Sequence, residues 1–225
     1  MKLSHYTFEN PIIFKENEIN YLILENQKYL SRYINELRSQ IEGMQGMFVL
    51  SEDNVVLDVR RSVELIIDPF SNDPNNRGAL NRLFVKMKDE AYADKYKSTD
   101  ELIQMIFSAI QTLINNQAMA VTFDEQLDIV GLFKLLGVKF ECSSESLLEN
   151  LCEYMRIQRD YSNTLLFIFV NIRCFLTAEE LEGLYQFLFY NKISVLMIEN
   201  NVFETNDREN IKIIDKDLCE INIGT

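Results

Sequence analysis

Hydrophobic positions along this chain alternate between two periods, and the points of change divide it. Leu165 to Val170 is a near-continuous apolar run, which predicts a strand buried on both faces. Thr177 and Glu180 have capping-box spacing, and Leu181, Leu184, Tyr185 and Leu188 then fall on one helical face. Ser194 to Ile198 is a second apolar strand. Strand, helix and strand in this order predict a βαβ unit, crossing over right-handedly into a parallel sheet.

Upstream, Leu3 to Phe8 and Ile12 to Phe14 are short alternating segments, Glu16 to Glu18 a polar turn, and Ile19 to Leu24 a strand. They predict a hairpin or meander packed on the edge of the main sheet. A helix follows over 26–43, with Tyr29, Leu30, Tyr33, Ile34 and Leu37 at helical spacing and Gly43 as its stop. Met47 to Leu50, Val55 to Val59 and Val63 to Ile67 read as further strands. Two of the chain's three prolines, Pro69 and Pro74, fall in the polar stretch from Asp68 to Asn76, the clearest boundary in the sequence.

Beyond that boundary the period becomes helical. Leu80, Leu83, Phe84, Met87 and Ala91 form one stripe. Ser98 and Glu101 have capping-box spacing, and the helix they open is apolar around much of its circumference. One neighbouring helix would not cover it, so a second partner such as another subunit is expected. Thr122 and Glu125 predict a third capping box, before a short helix that ends at Gly137. Val138 to Glu141 reads as a strand returning to the sheet, a helix spans 144–160, and 210–223 closes the chain with alternating strand-like residues. The fold class is α/β: a discontinuous head over 1–68 and 138–225 with a parallel-rich sheet, and a helical leg inserted over 69–137.

Composition changes this picture in four places. The 225 residues are 47% hydrophobic, as in an ordinary globular protein, and no apolar run is long enough to cross a membrane. The net charge of −13 argues against nucleic acid when taken as an average. His5 is the single histidine, which excludes triads and metal sites needing more than one. Cys142, Cys152, Cys174 and Cys219 lack ligand spacing and read as reduced core thiols of an intracellular, cytoplasmic protein.

The charge is segregated. Arg77, Arg82, Lys86, Lys88, Lys95 and Lys97 face only Asp89, Glu90 and Asp94 in the same window. Arg82 and Lys86 are four apart and can line one wall, with Lys134, Lys139 and the pair Arg60–Arg61 as further candidates. The competing reading is a solvated helix face with pairs such as Lys86 and Glu90. Asp124, Glu125 and Asp128 cluster, and on a helix Asp124 and Asp128 would sit one above the other, able to share a hard cation. Acids in a first helical turn are also favoured by the dipole alone.

The first strand-to-helix junction, Leu24 to Tyr29, contains no glycine, so a phosphate-binding loop of the Walker type is absent. Asn171 ends the central strand where such a protein presents an aspartate to magnesium. Tyr185, Phe187, Phe189, Tyr190 and Phe175 suggest base stacking, but their spacing fits a core-facing helix better.

The segments Leu165 to Asn171, Cys174 to Leu181 and Leu135 to Glu141 resemble the Csn-two family, accessory proteins of type II-A CRISPR systems that act in spacer acquisition. The likeness follows the order of head, two-helix leg and head. It implies a degenerate RecA-like head without a nucleotide site and homotetrameric rings with positive inner walls. It also implies sequence-independent binding of double-stranded DNA ends, calcium ions held by carboxylates, and no catalysis. The family's calcium acids lie between the leg and the returning strand. This chain departs from the pattern there, with Met119, Val121 and Thr122 where relatives carry more acids. The implied partners are the CRISPR integrase and effector nuclease. Two readings from other classes compete: a metal-dependent nuclease using Asp124, Glu125 and Asp128, and a pure protein-assembly module.

Overall fold

The computed structural model describes residues 1–93, 98–124, 127–142, 146–203 and 208–223, the side chain of Ser98 excepted. By internal contacts the chain forms two compact units, 1–74 with 142–225, and 75–141.

The larger unit is built on a mixed, parallel-rich sheet. Its strands are β3 (Ile19–Leu24), β6 (Val63–Ile66), β7 (Leu166–Val170), β8 (Ser194–Glu199), β9 (Glu209–Ile214) and β10 (Glu220–Ile223). They lie in the order β10-β9-β3-β8-β7-β6, all parallel except β10, which pairs antiparallel with β9. Every residue of β3 and of β7 is buried, because both faces of the sheet are covered. Tyr21, Ile23, Phe167 and Phe169 enter one core with α6 (Leu147–Ser162) and α7 (Ala178–Tyr190). Leu22, Leu24, Leu166 and Ile168 enter the other with α1 (Gln27–Ile41) and a small second sheet. That sheet has the antiparallel order β2-β1-β4-β5, from Lys2–Ser4 (β1), Ile12–Ile13 (β2), Val49–Glu52 (β4) and Val55–Leu57 (β5).

The βαβ unit of the sequence is present as β7, α7 and β8. Thr177 and Glu180 form the capping box, and the four apolar residues of the expected helical face are buried. The N-terminal expectation is corrected. β1 and β2 join the small sheet, and β3, read as part of an edge meander, is the centre of the large one. A strand apolar on both faces can only be central. Val59 opens a single helical turn, α2 (Val59–Ser62), rather than ending a strand.

The smaller unit holds α3 (Arg77–Tyr92), α4 (Ser98–Asn115) and α5 (Ile129–Leu135). Asn76 caps α3, the Phe84 ring of α3 lies tilted 6.1 Å from that of Phe133 of α5, and Thr99 donates to the Ala91 carbonyl. On α4, Met105 and Leu113 are 70% and 61% exposed, so the apolar surplus read from the sequence is real in the single chain. The capping role read for Ser98 falls on a side chain outside the described set. Two expectations fail here. α5 is opened by Asp128, not by Thr122, which lies exposed in irregular chain. Residues 138–141 form no strand, because the side chain of Asn75 takes both backbone groups of Phe140.

The four cysteines form no disulfide, and only Cys152 is even half-buried. Cys142, Cys174 and Cys219 are exposed, so they are not core thiols. Of the aromatic set, Tyr185 is buried and Phe187 and Phe189 pack on the core, whereas Tyr190 and Phe175 are exposed. Among the described residues, no helix is long and apolar enough to cross a membrane.

Candidate functional site

Three places carry the candidate chemistry, and the first is α3. Its side chains Arg82 and Lys86, one helical turn apart, are both exposed and border one shallow hollow with Val85, Asp89, Glu90 and Ala93. The capped start and the apolar stripe that packs Phe84 inward turn these two cations outward on a common face. Lys88 is exposed too, but two residues further on it is rotated by about 200° from Lys86 and points elsewhere. Lys134 is exposed in the last turn of α5, where a cation complements the helix dipole, and Lys139 is exposed in the irregular segment beyond. Lys95 and Lys97 lie outside the described residues.

The second place is the acidic segment before α5. Asp128 spends one carboxylate oxygen on the Gly131 N–H at 2.7 Å, as the N-cap of α5. Asp124 is exposed in irregular chain, so the two acids do not stack on successive helical turns as their spacing suggested. Glu125 lies outside the described residues. Among the described residues no three acids, histidines or cysteines gather around a point that could hold a metal ion.

The third place is the carboxyl edge of the parallel strands, where α/β sheets bind their ligands. At the end of β3, the Asn26 side chain accepts from the N–H groups of Lys28 and Tyr29 at 3.1 and 3.3 Å. These are the donors that a phosphate would use at a helix N-terminus, and here a side chain of the chain itself holds them. At the end of β7, Asn171 adopts a left-handed conformation, φ 53°, and its buried Oδ1 has no partner among the described residues.

Beside it lies a buried polar cluster that sequence reasoning missed. Tyr185 donates to Glu209 at 2.6 Å and its hydroxyl meets that of Tyr21 at 2.6 Å. Arg173 reaches Tyr21 at 3.2 Å and Glu209 at 3.5 Å, and its guanidinium lies 3.7 Å over the Phe203 ring. Burial pushes the Tyr21 hydroxyl up to about 12. Glu199, at the end of β8, is held up at about 7 by burial, against the N–H groups of Arg173 and Ile172 that favour its charged form. The signal available in the sequence was an acid at the end of one apolar strand, Glu199, and another at the start of the next, Glu209.

Against these sites stand the comparisons with known proteins. Residues 40–218 match a family model described as CRISPR-associated protein Csn2. The chain belongs to the Csn2 family. The match includes the three segments that carried the resemblance in the sequence. A curated Csn2 relative from Enterococcus faecalis is 25% identical over 143 residues, covering 62% of this chain and 64% of the relative. One from Streptococcus agalactiae is 23% identical over 138 residues, covering 60% of this chain and 62% of the relative. The chain thus spans less than two thirds of the length of either Csn2 relative. Among solved structures, an ATP-binding cassette protein captured as a dimer with ADP and phosphate superposes with a TM-score of 0.39 at 13% identity. That superposition covers 93% of this chain and 86% of the other.

Proposed function

We propose that this Csn2-family chain is a non-enzymatic binder of double-stranded DNA. It acts as a homotetrameric ring that holds duplex ends during acquisition of new CRISPR spacers. The observation that carries this reading is the basic face of α3, where Arg82 and Lys86 stand exposed on one side of a helix in a chain of net charge −13. A ring of such faces focuses positive potential on an enclosed duplex, and phosphate contacts of this kind are indifferent to sequence. The exposed apolar residues of α4 supply surface for subunit contacts. The CRISPR integrase and effector nuclease are the partners that this role brings together with the ring.

The larger unit is, in this reading, a degenerate P-loop core whose nucleotide chemistry has been replaced. The strand that leads into the first long helix is central, as in nucleotide-binding sheets. The phosphate position at that helix is filled by Asn26, and an uncharged Asn171 stands at the end of β7. Both features favour binding over hydrolysis. The nuclease reading is not favoured, since Asp128 is engaged as a cap and does not stack with Asp124.

The test is binding to linear and to covalently closed circular duplex of one sequence, with calcium and with chelator. A preference for linear DNA that needs calcium supports an ion-stabilised ring loaded from ends. Equal binding to both forms points to an open surface instead. Binding to neither moves the reading to the assembly module, which the exposed face of α4 would serve.

A further inference from the structure

We propose that the groove between α1 and the β4–β5 hairpin docks an extended, acidic segment of a partner protein. This surface belongs to the larger unit and shares no residue with the basic face of α3. It encloses about 1060 Å³, bordered by α1, the loop after it, the hairpin and α2. Its floor is apolar and uncovered: Met44 and Val56 are each 70% exposed, and Met47 is 60%. Tyr6 and Val55 continue the apolar surface, at 61% and 62%. Methionines of this kind adapt their shape to a partner's side chains.

The groove is preformed. The Gln40 side chain donates to the Phe48 carbonyl at 2.7 Å and accepts from the Phe48 N–H at 3.2 Å, which pins the loop carrying both methionines. Gly46 is required for that contact, since a Cβ there would come within 2.3 Å of the Gln40 amide oxygen. β5 is the outer strand of its sheet, so one row of its backbone donors and acceptors faces no other strand. Such an edge pairs with an added strand, and its neighbouring pockets then select alternate side chains.

Charge fixes the kind of partner. Two guanidiniums border the groove, Arg32 and Arg60, and among the described residues neither has a carboxylate partner. Arg32 donates only to the Tyr6 hydroxyl, at 2.6 Å. The acids beside them are already engaged. Glu36 accepts from the Met47 N–H at 2.9 Å and faces His5 at 3.4 Å. Asp58 accepts from the Arg60 N–H at 3.1 Å and pairs with Arg61. The groove thus offers spare charged donors beside an apolar floor. A strand alternating apolar residues with glutamate or aspartate satisfies both, seating its apolar side chains on Met44, Met47 and Val56 and its carboxylates on Arg32 and Arg60. A DNA duplex would leave the apolar floor without a partner.

The test is fluorescence anisotropy of a labelled peptide alternating valine and glutamate, titrated with the full chain. Controls are its twin with lysine for glutamate and two twins methylated on alternate backbone nitrogens. The glutamate peptide is expected to bind, the lysine twin and one methylated twin to lose at least about tenfold, and Arg60→Glu and Arg32→Glu each to weaken binding about tenfold. Three results overturn the proposal: no binding of the glutamate peptide, equal binding of the two charge types, or no effect of the arginine variants. Competition by a short duplex would reassign the groove to nucleic acid. A change of oligomeric state in Val56→Glu, read by sedimentation, would reassign it to contacts between copies of the chain. Either reassignment overturns the proposal as well.

Discussion

The side chain of Asn75 and the backbone of Phe140 are bonded reciprocally. Asn75 donates to the Phe140 carbonyl at 3.1 Å and accepts from its N–H at 2.8 Å. A side-chain amide here does what a neighbouring strand would do, and it ties the first residue of the smaller unit to the last turn of chain before its exit. Asn75→Ala removes both bonds and is expected to cost about 2 kcal/mol. Asn75→Asp keeps the acceptor and loses the donor, and should cost less. Hydrogen exchange at the Phe140 amide, together with urea unfolding, measures both; an unchanged exchange rate in the alanine variant would refute the clasp.

Arg82 and Lys86 share a face that Lys88 does not. Reversal of the first two charges, Arg82→Glu with Lys86→Glu, is expected to abolish duplex binding. Lys88→Glu alone should weaken it only slightly. The dependence of log affinity on log salt should fall by about 0.9 for each phosphate that the variant no longer neutralises. Filter binding across a salt series reads both effects, and equal losses from the two variants would argue against a single wall.

Glu199 gives the fold a pH dependence of definite sign. Its ordinary value is 4.5 and burial holds it up at about 7. Between these values the folded chain keeps a proton that the unfolded chain has released, so stability falls as pH rises and the loss is complete above about 7. The shift corresponds to about 3 kcal/mol at most. Glu199→Gln keeps an acceptor for Arg173 and Ile172 and is expected to be the more stable protein at pH 8, with little difference at pH 4.5. His5, whose titration burial lowers from 6.5, acts in both proteins and cancels from the comparison. Urea midpoints at the two pH values decide it; a constant difference between the proteins would show that the carboxylate is not the cause.

Asn26 caps α1 with the same two N–H donors that a phosphate at a helix N-terminus would use. Asn26→Ala is expected to cost about 1 kcal/mol of stability. It should confer no affinity for a fluorescent ATP analogue, because Gln27, Lys28 and Tyr29 still crowd a junction that lacks glycine. Measurable nucleotide binding by the variant would mean that the side chain alone blocks the site.

How far the sequence disclosed this structure depended on how local each signal was. The β7–α7–β8 unit was legible because Thr177, Glu180 and the leucine stripe all lie within one short stretch. The place of β3 was not, because its neighbours come from residues 194–199 and 209–214, and no local pattern records such a pairing. The outward turn of Arg82 and Lys86 followed from helical spacing, whereas Lys88 was grouped with them on charge alone. Asp124 and Asp128 were misplaced because Thr122 and Glu125 imitate a capping box, while the cap in use is Asp128 itself. The cluster of Tyr21, Arg173, Tyr185 and Glu209 draws on four separate stretches and became visible only once the sheet had brought them together.

The central position of β3 also sets a timetable for synthesis. β3 leaves the ribosome early, yet both strands that flank it, β8 and β9, are made in the last part of the chain. During translation its six residues, five of them apolar, have no native partner, and the whole smaller unit is completed while they wait. Closing so long a loop costs only logarithmically in its length, so the delay bears more on the rate of folding than on final stability. The vulnerable interval is the nascent one, when an unpaired apolar strand is open to wrong pairing. A transcript cut short before the codon for Glu209 would yield a chain whose core strand never acquires its second neighbour.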